Sequence, residues 1–306
     1  MAQLKRGKHK IGVIGLGFVG GSVHYWFEHE LGNKVELLSY DKYKNIGSLK
    51  EINKADIVFI CVPTPFYKDA GGYDDSAIIE ALGILEGSKI VVIKSTILPG
   101  STEGFQKRFP QHKILFNPEF LVAKTAVQDF IKPNRQIIGY TKESKNYSQQ
   151  ILDVLPPALF VRIMPATEAE MVKYFGNTFL AIKVIFANQI YDLCEKLNIN
   201  YDVVKESAAT DSRISTSHLD IFFDNYRGYS GACFPKDMKS LIGLAKKLGV
   251  DLGLLKKGDE INDALIKQAV KPSVSVVITT YNRAKYLREA IASVLNQDFD
   301  NFELIV

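Results

Sequence analysis

Six short apolar runs, at residues 10–14, 34–40, 57–62, 89–93, 113–116 and 136–140, alternate with stretches of helical periodicity through the first part of the chain. Strands that are apolar on both faces must be covered on both faces, so this alternation dictates a parallel sheet wrapped by crossover helices. The residues that close each run carry the chemistry. The first run passes into Gly15-Leu16-Gly17-Phe18-Val19-Gly20, and the second ends at Asp41. The third ends in Val62-Pro63-Thr64-Pro65, the fourth in Lys94-Ser95-Thr96, and the fifth in Asn117-Pro118-Glu119. Ligands of open parallel sheets bind at the carboxyl ends of the strands, where all these signals fall.

The glycine segment has a mechanical reading. Gly15 permits a tight turn, Gly17 lets backbone approach a pyrophosphate, and Gly20 lets the following helix pack on the sheet. The phosphates then face the amides of a helix N-terminus. Asp41 lies 21 residues beyond Gly20, where an acid would take the adenine ribose hydroxyls. The bland alternative is a glycine-rich turn, but strand, helix and acid all stand at the right distances. A Rossmann-type α/β domain is expected, with NAD favoured over NADP because a carboxylate repels a 2′-phosphate. Phe18, Val19, Val62, Pro63, Thr64 and Thr96 join Gly15, Gly17, Gly20 and Asp41 as expected cofactor contacts.

Composition narrows the remaining classes. A net charge of +4 over 306 residues gives no footprint for nucleic acid. Cys61, Cys194 and Cys233 are distant from one another and odd in number, which argues against a disulfide framework, and no CxxC or HxxxH pair supports a metal site. Lys5-Arg6 and Lys8-His9-Lys10 before an apolar stretch loosely imitate a leader. However, that stretch carries Gly12, Gly15 and Gly17, and no small-residue cleavage site follows. No apolar run reaches the length of a membrane span, so a cytoplasmic protein is expected.

A long amphipathic helix is expected after Pro165. Thr167 and Glu170 have the spacing of a capping box, and Met171, Phe175, Phe179, Ile182, Phe186, Ile190, Leu193 and Leu197 repeat every three or four residues. Lys173 and Asn177 stand one turn apart on a different face and, on spacing alone, read as a solvated polar strip. Arg227-Gly228-Tyr229-Ser230-Gly231-Ala232-Cys233-Phe234-Pro235-Lys236-Asp237 sets Cys233 just before a helix that Pro235 would open and Gly249 would stop. A cysteine there meets a dipole and free amides that favour its thiolate. Buried packing is the competing reading.

These motifs, in this order, resemble the UDP-glucose and GDP-mannose dehydrogenases: GLGFVG, VPTP, KSTILPG from Lys94, NPEF from Asn117, and GACFPKD from Gly231. The likeness runs over about residues 8 to 265. Members of that family oxidise a sugar's primary alcohol to the uronate with two NAD. The resemblance implies that Cys233 is the nucleophile that forms a thiohemiacetal and then a thioester. By the same resemblance Glu119 assists hydrolysis, and Lys173 and Asn177 stabilise charge on the sugar oxygen. Thr96 and Asp237 hold water or shuttle protons. Arg213 reaches the substrate in the neighbouring subunit of a homodimer, which the long helix would build. Phe120, Leu121, Tyr229 and Gly231 complete the implied contacts with a nucleotide-sugar.

Departures matter too. The family continues PEFL with a second glutamate where this chain has Ala123, and Ser230 replaces a common loop glycine. After Asp259-Glu260-Ile261-Asn262 the family has a nucleotide-binding α/β domain. Here Pro272-Ser273-Val274 and the following apolar run end in Thr280-Tyr281-Asn282-Arg283, with a helix at 284–296 and a strand at 302–306. That resembles the opening of a nucleotide-sugar glycosyltransferase domain; a diverged third domain is the other reading. The expected domains are 1–165 for NAD, 166–265 for a helical centre, and 266–306 for a linker with an incomplete β-α-β tail. An NAD-binding but catalytically impaired chain is the alternative to an active dehydrogenase.

Overall fold

The computed structural model describes residues 9–67, 72–223, 226–267, 274–281, 283–299 and 302–306. Lys5, Arg6, Lys8, Pro272, Ser273 and Asn282, singled out above, lie outside the described residues. The chain divides into two compact units, Met1–Phe179 with Ala232–Leu252, and Leu180–Gly231 with Gly253–Val306.

The first unit is built on a seven-stranded sheet. Its strands are β1 (His9–Ile14), β2 (Val35–Tyr40), β3 (Ile57–Ile60), β6 (Ile90–Ile93), β7 (Lys113–Phe116), β8 (Arg135–Tyr140) and β9 (Phe160–Pro165), with a small hairpin of β4 (Phe66–Tyr67) and β5 (Gly72–Tyr73) set apart. The order across the sheet is β2-β1-β3-β6-β7-β8-β9. Every pair is parallel except β7 with β8, so the sheet is mixed at that seam. The helices are α1 (Phe18–Tyr25), α2 (Leu49–Ile52), α3 (Ser76–Gly83), α4 (Ser101–Arg108), α5 (Ala126–Ile131) and α6 (Ser148–Val154).

Strand alternation sorts the core into two clusters. Val58, Ile60, Val91, Ile93, Ile114 and Phe116 belong to one, while Ile57, Phe59, Val92 and Leu115 belong to the other. Neighbouring side chains on one strand point to opposite faces, so these are the two sides of the sheet. Each fully buried side chain of this size contributes about 1.5–3 kcal/mol. This double burial is what the uninterrupted apolar runs foretold.

Helix α7 (Ala166–Leu197) follows β9 directly. At 1.5 Å per residue its 32 residues extend about 48 Å. Its apolar stripe faces outward in the single chain: Met171, Phe175, Phe179, Phe186, Leu193 and Leu197 are all exposed. The face turned inward carries Ala169, Glu170, Lys173, Tyr174, Asn177, Thr178 and Ala181. The solvated-strip reading of Lys173 and Asn177 is therefore wrong, because tertiary packing buries that side of the helix. The capping box also fails. Thr167 lies inside the helix rather than at its N-cap, and the Glu170 carboxylate is engaged elsewhere.

Helix α9 (Phe234–Lys247) begins at Phe234 with Cys233 as N-cap, so Pro235 takes the second helical position rather than the first. It ends as expected at Gly249, whose φ of +73° suits glycine. The second unit holds α8 (Tyr201–Ala209), the short pair β10 (Phe222–Phe223) and β11 (Tyr226–Arg227), and α10 (Gly253–Lys267). Asn262 of α10 is buried; its side chain accepts from the Tyr229 amide and donates to the Tyr229 carbonyl, which fixes the glycine loop at 228–231. The tail forms the expected parallel pair, β12 (Val274–Val277) with β13 (Phe302–Ile305), connected by α11 (Ala284–Leu295).

Candidate active site

The turn after β1 has the geometry that a dinucleotide needs. Gly15 sits at φ +83°, and a Cβ on Gly20 would lie 1.7 Å from the Gly15 carbonyl oxygen, so neither tolerates a side chain. A Cβ on Gly17 would meet nothing within 4 Å, which leaves open space above the backbone. Helix α1 starts there with Gly17 as N-cap and no side-chain cap. Its first amides are thus left to an anion. The Asp41 carboxylate accepts from the amides of Leu16, Tyr43 and Lys44, fixing the fingerprint turn to the end of β2. Partial burial opposes the charge on Asp41, but these amides outweigh it and hold its pKa below the ordinary value. A groove of about 460 Å³ beside the fingerprint is lined by Gly17, Phe18 and Gly21 together with Ala123, Lys124 and Val127. Ala123, the position that departs from the family pattern, therefore faces the cofactor turn.

The ends of β3 and β6 are tied to each other. Thr64 Oγ1 donates to the Thr96 carbonyl at 2.7 Å, and Ser95 Oγ donates to the Val62 carbonyl at 2.5 Å. Val62 is half-buried and Pro63 exposed. Lys94 is buried and donates to Asn117 Oδ1 at 2.5 Å; Asn117 in turn donates to the Ile137 carbonyl at 2.8 Å. Burial drives the Lys94 pKa down to about 8. Lys94 and Asn117 thus form a buried hydrogen-bonded link from the ends of β6 and β7 to β8. Spacing gave no signal for this: a lysine directly after the apolar run Val91-Val92-Ile93 can equally well point to solvent.

Glu119, just beyond β7, pairs with Lys173 of α7 at 2.8 Å, with side-chain exposures of 10% and 6%. Its other oxygen accepts from the Leu121 amide at 2.8 Å. Burial opposes the Glu119 charge, yet Lys173, the Leu121 amide and Lys94 outweigh it and bring its pKa below the ordinary range. Phe120 lies under the cation, its ring centroid 5.7 Å from Lys173 Nζ. One turn along α7, Asn177 donates to Asp237 Oδ2 at 2.6 Å, while Lys236 pairs with Asp237 Oδ1.

Cys233 is exposed at the N-cap of α9, and its thiol feels the charges of Lys173, Glu119, Asp237 and Lys236. The structure thus brings Glu119, Lys173, Asn177, Asp237 and Cys233 into one electrostatic neighbourhood, with Thr96 held beside Thr64. The expected stabilisation of a Cys233 thiolate is not found. Desolvation by the surrounding protein raises its pKa, Lys173 and Lys236 pull it down, and Glu119 and Asp237 push it up, with a net rise. Arg213, Tyr229 and Gly231 belong to the second unit. There Arg213 is exposed and paired with Asp211, and Tyr229 is buried.

Comparison with known proteins decides the family. Residues 25–155 match the UDP-glucose/GDP-mannose dehydrogenase family NAD binding domain, and residues 167–264 match that family's central domain. This chain belongs to the UDP-glucose/GDP-mannose dehydrogenase family. The glycine fingerprint at Gly15–Gly20 lies just before the first matched span. Residues 275–306 match a third profile, Glycosyl transferase family 2. The chain is 34% identical to the UDP-glucose 6-dehydrogenase of Rickettsia conorii over 224 residues, 70% of this chain and 50% of that protein. It is 36% identical to the enzyme of the same name from Pseudomonas aeruginosa over 218 residues, 66% of this chain and 47% of that protein. It therefore spans about half the length of the curated relatives it matches. Among solved structures, a UDP-glucose dehydrogenase from Pyrobaculum islandicum shares the fold with a TM-score of 0.78 at 24% identity, covering 100% of this chain and 88% of that one. No helix among the described residues is long and apolar enough to cross a membrane.

Proposed function

We propose that this family member is an NAD-dependent nucleotide-sugar dehydrogenase that oxidises the C6 alcohol of UDP-glucose to the uronate. The observation that carries the reading is the buried Lys173–Glu119 and Asn177–Asp237 pairing beside the helix start that bears Cys233. Residues 1–165 would hold the cofactor and 166–265 the substrate side, in a cytoplasmic protein. The glycine turn and the Asp41 anchor fit NAD, which supplies the electron sink for each oxidation when bound.

The side chains account for the remaining steps. Lys173 has three donors and spends one on Glu119, and Asn177 has two and spends one on Asp237, so both can still donate to the sugar C6 oxygen. As C6 loses two electrons with a hydrogen and its hydroxyl proton passes to the Asp237 carboxylate, those donors stabilise the charge on that oxygen. The Cys233 thiolate then adds to the aldehyde carbon, forming a C–S bond while the oxygen takes a proton from the Asp237 side. A second two-electron oxidation of this thiohemiacetal, with its hydroxyl proton again passing to Asp237, leaves a thioester. Glu119 accepts a proton from water as its oxygen adds, the C–S bond breaks, and the thiol and the uronate are released. Thr96, Phe120, Leu121, Tyr229 and Gly231 are assigned to water and substrate contact.

The test is NADH formation with UDP-glucose, UDP-N-acetylglucosamine, UDP-N-acetylmannosamine and GDP-mannose in parallel. Two NADH per UDP-glucose is the expected result. A different productive sugar corrects the substrate, and NAD binding without turnover on any of them defeats the proposal.

The exposed stripe of α7 supports a homodimer, with Arg213 reaching the partner's substrate. Phe175 and Phe179 stack on the surface with centroids 6.4 Å apart, an arrangement that water does not favour. Sedimentation is expected to give a dimer that Phe179→Asp converts to monomer. A wild-type chain that sediments as a monomer at micromolar concentration overturns the assignment.

A further inference from the structure

Helix α4 has no cap of its own. Its N-cap is Gly100, at φ +93° and without a side chain to offer its orphan amides. The cap arrives from α7 instead. Glu170 Oε2 accepts from the Gly100 amide at 2.6 Å, while Oε1 accepts from the Thr102 amide at 2.8 Å and from the Thr102 hydroxyl at 2.5 Å. Both Glu170 and Thr102 are fully buried. A carboxylate at this end of the helix also meets the positive end of its dipole.

The consequence lies in what the two ends of this connection carry. Upstream of Gly100 the chain runs back through Ile97, fully buried, to Thr96, whose carbonyl is held by Thr64 from the β3 side. Downstream it is held by Glu170. Glu170, Lys173 and Asn177 stand at i, i+3 and i+7, one face of one helix. The Glu170 hydrogen bonds tie a side chain of α7 directly to the segment at 94–102, alongside the apolar packing of Ile97 with Ala169 and Val172 in one core cluster.

We infer that Glu170 is a positioning residue for the dehydrogenase reaction: it sets the place of Thr96 relative to Lys173 and Asn177 by capping α4 from the catalytic face of α7. This rests on the function proposed above and adds to it a residue outside the reacting groups. Burial raises the Glu170 pKa to about 7 against the pull of Thr102 and Gly100, as expected for a carboxylate whose partners are neutral donors. The cap is therefore held together by hydrogen bonds rather than by an ion pair, which makes the isosteric Glu170→Gln a sharp probe. The amide can keep one acceptor but turns an NH₂ toward donors.

The experiment has two arms on the full chain. In the first, amide hydrogen exchange is compared between wild type and Glu170→Gln. Exchange at Gly100 and Thr102 is expected to quicken by roughly tenfold or more while the β3 and β6 amides keep their protection. Unchanged exchange at those two amides overturns the anchor, whatever the activity. In the second, kcat with the productive sugar is expected to fall roughly tenfold to a hundredfold in Glu170→Gln with the NAD dissociation constant unchanged, and to fall less in Thr102→Val. In a Thr96→Ala background the Glu170→Gln penalty should shrink toward nothing, because the group it positions is gone. A penalty that persists in full there shows a merely structural role and overturns the inference. A wild-type chain that turns over no sugar sinks the proposed function instead, and the exchange arm then judges the anchor alone. If Glu170→Gln fails to fold, Glu170→Asp, whose shorter side chain draws the carboxylate back from both amides, carries both arms.

Discussion

Cys233→Ala is expected to lower NADH formation with the productive sugar by about a thousandfold or more, because in the proposed mechanism it deletes the sulfur that holds the aldehyde for a second oxidation. The stability cost should be small: Cys233 is exposed at the helix start, so its loss opens no cavity. Melting temperature and NAD affinity serve as controls. Wild-type turnover by Cys233→Ala would sink the covalent route. The wild-type rate should also climb with pH on the alkaline side. Surrounding protein and the carboxylates of Glu119 and Asp237 raise the Cys233 pKa, so the thiolate is scarce at neutrality and its fraction grows as protons are withdrawn. Lys173 and Lys236 moderate this without reversing it.

Lys173→Ala is the substitution expected to hurt stability most. It leaves the Glu119 carboxylate nearly buried with only the Leu121 amide and the more distant Lys94 to answer it. Removing one partner of a buried pair costs about 3–5 kcal/mol. The pH dependence should change sign with it. In the wild type the folded Glu119 pKa lies below its unfolded value, so its stabilisation is present above about pH 4.5 and is lost as pH falls through the folded pKa. Without Lys173, desolvation dominates, the folded pKa moves above the unfolded one, and stability drops as pH rises instead. Thermal melts of both proteins from acid to neutral pH read this directly. Adding Glu119→Gln to Lys173→Ala should restore part of the loss by removing the stranded charge. Parallel melting curves in wild type and Lys173→Ala would refute the pair as a buried electrostatic unit.

How much of this was visible in the residues depends on what each signal measures. The parallel strands were legible because Ile57–Ile60 and Ile90–Ile93 are apolar at every position, which only a doubly covered strand can use. Strand β9 was not, since Arg162 interrupts its apolar run and Pro165 closes it. Lys173 and Asn177 looked solvated because helical spacing gives a face but never says which face the fold will cover. Only the family likeness pointed to them. Glu170 is the converse case. The local capping pattern with Thr167 was real as a spacing, but the carboxylate's partners lie 68 and 70 residues earlier in the chain. A local rule lost to a distant helix with an unfilled end. The helix position of Cys233 followed from Pro235 and Gly249, whereas its raised pKa comes from neighbours that no spacing within the CFPKD block could reveal.

Strand β9 closes the sheet on one side, and its outer row of amides and carbonyls is an open template. Phe160 and Val161 are each 48% exposed, and Leu159 just before them is 98% exposed. A sequence so placed invites a second chain to add a strand and stack into insoluble material during refolding or at high concentration. Two residues within it act as gatekeepers. Arg162 sets a charge in the middle of the row, which repels its own copy, and Pro165 withholds a donor at the end. Those two positions would decide whether the protein survives concentration.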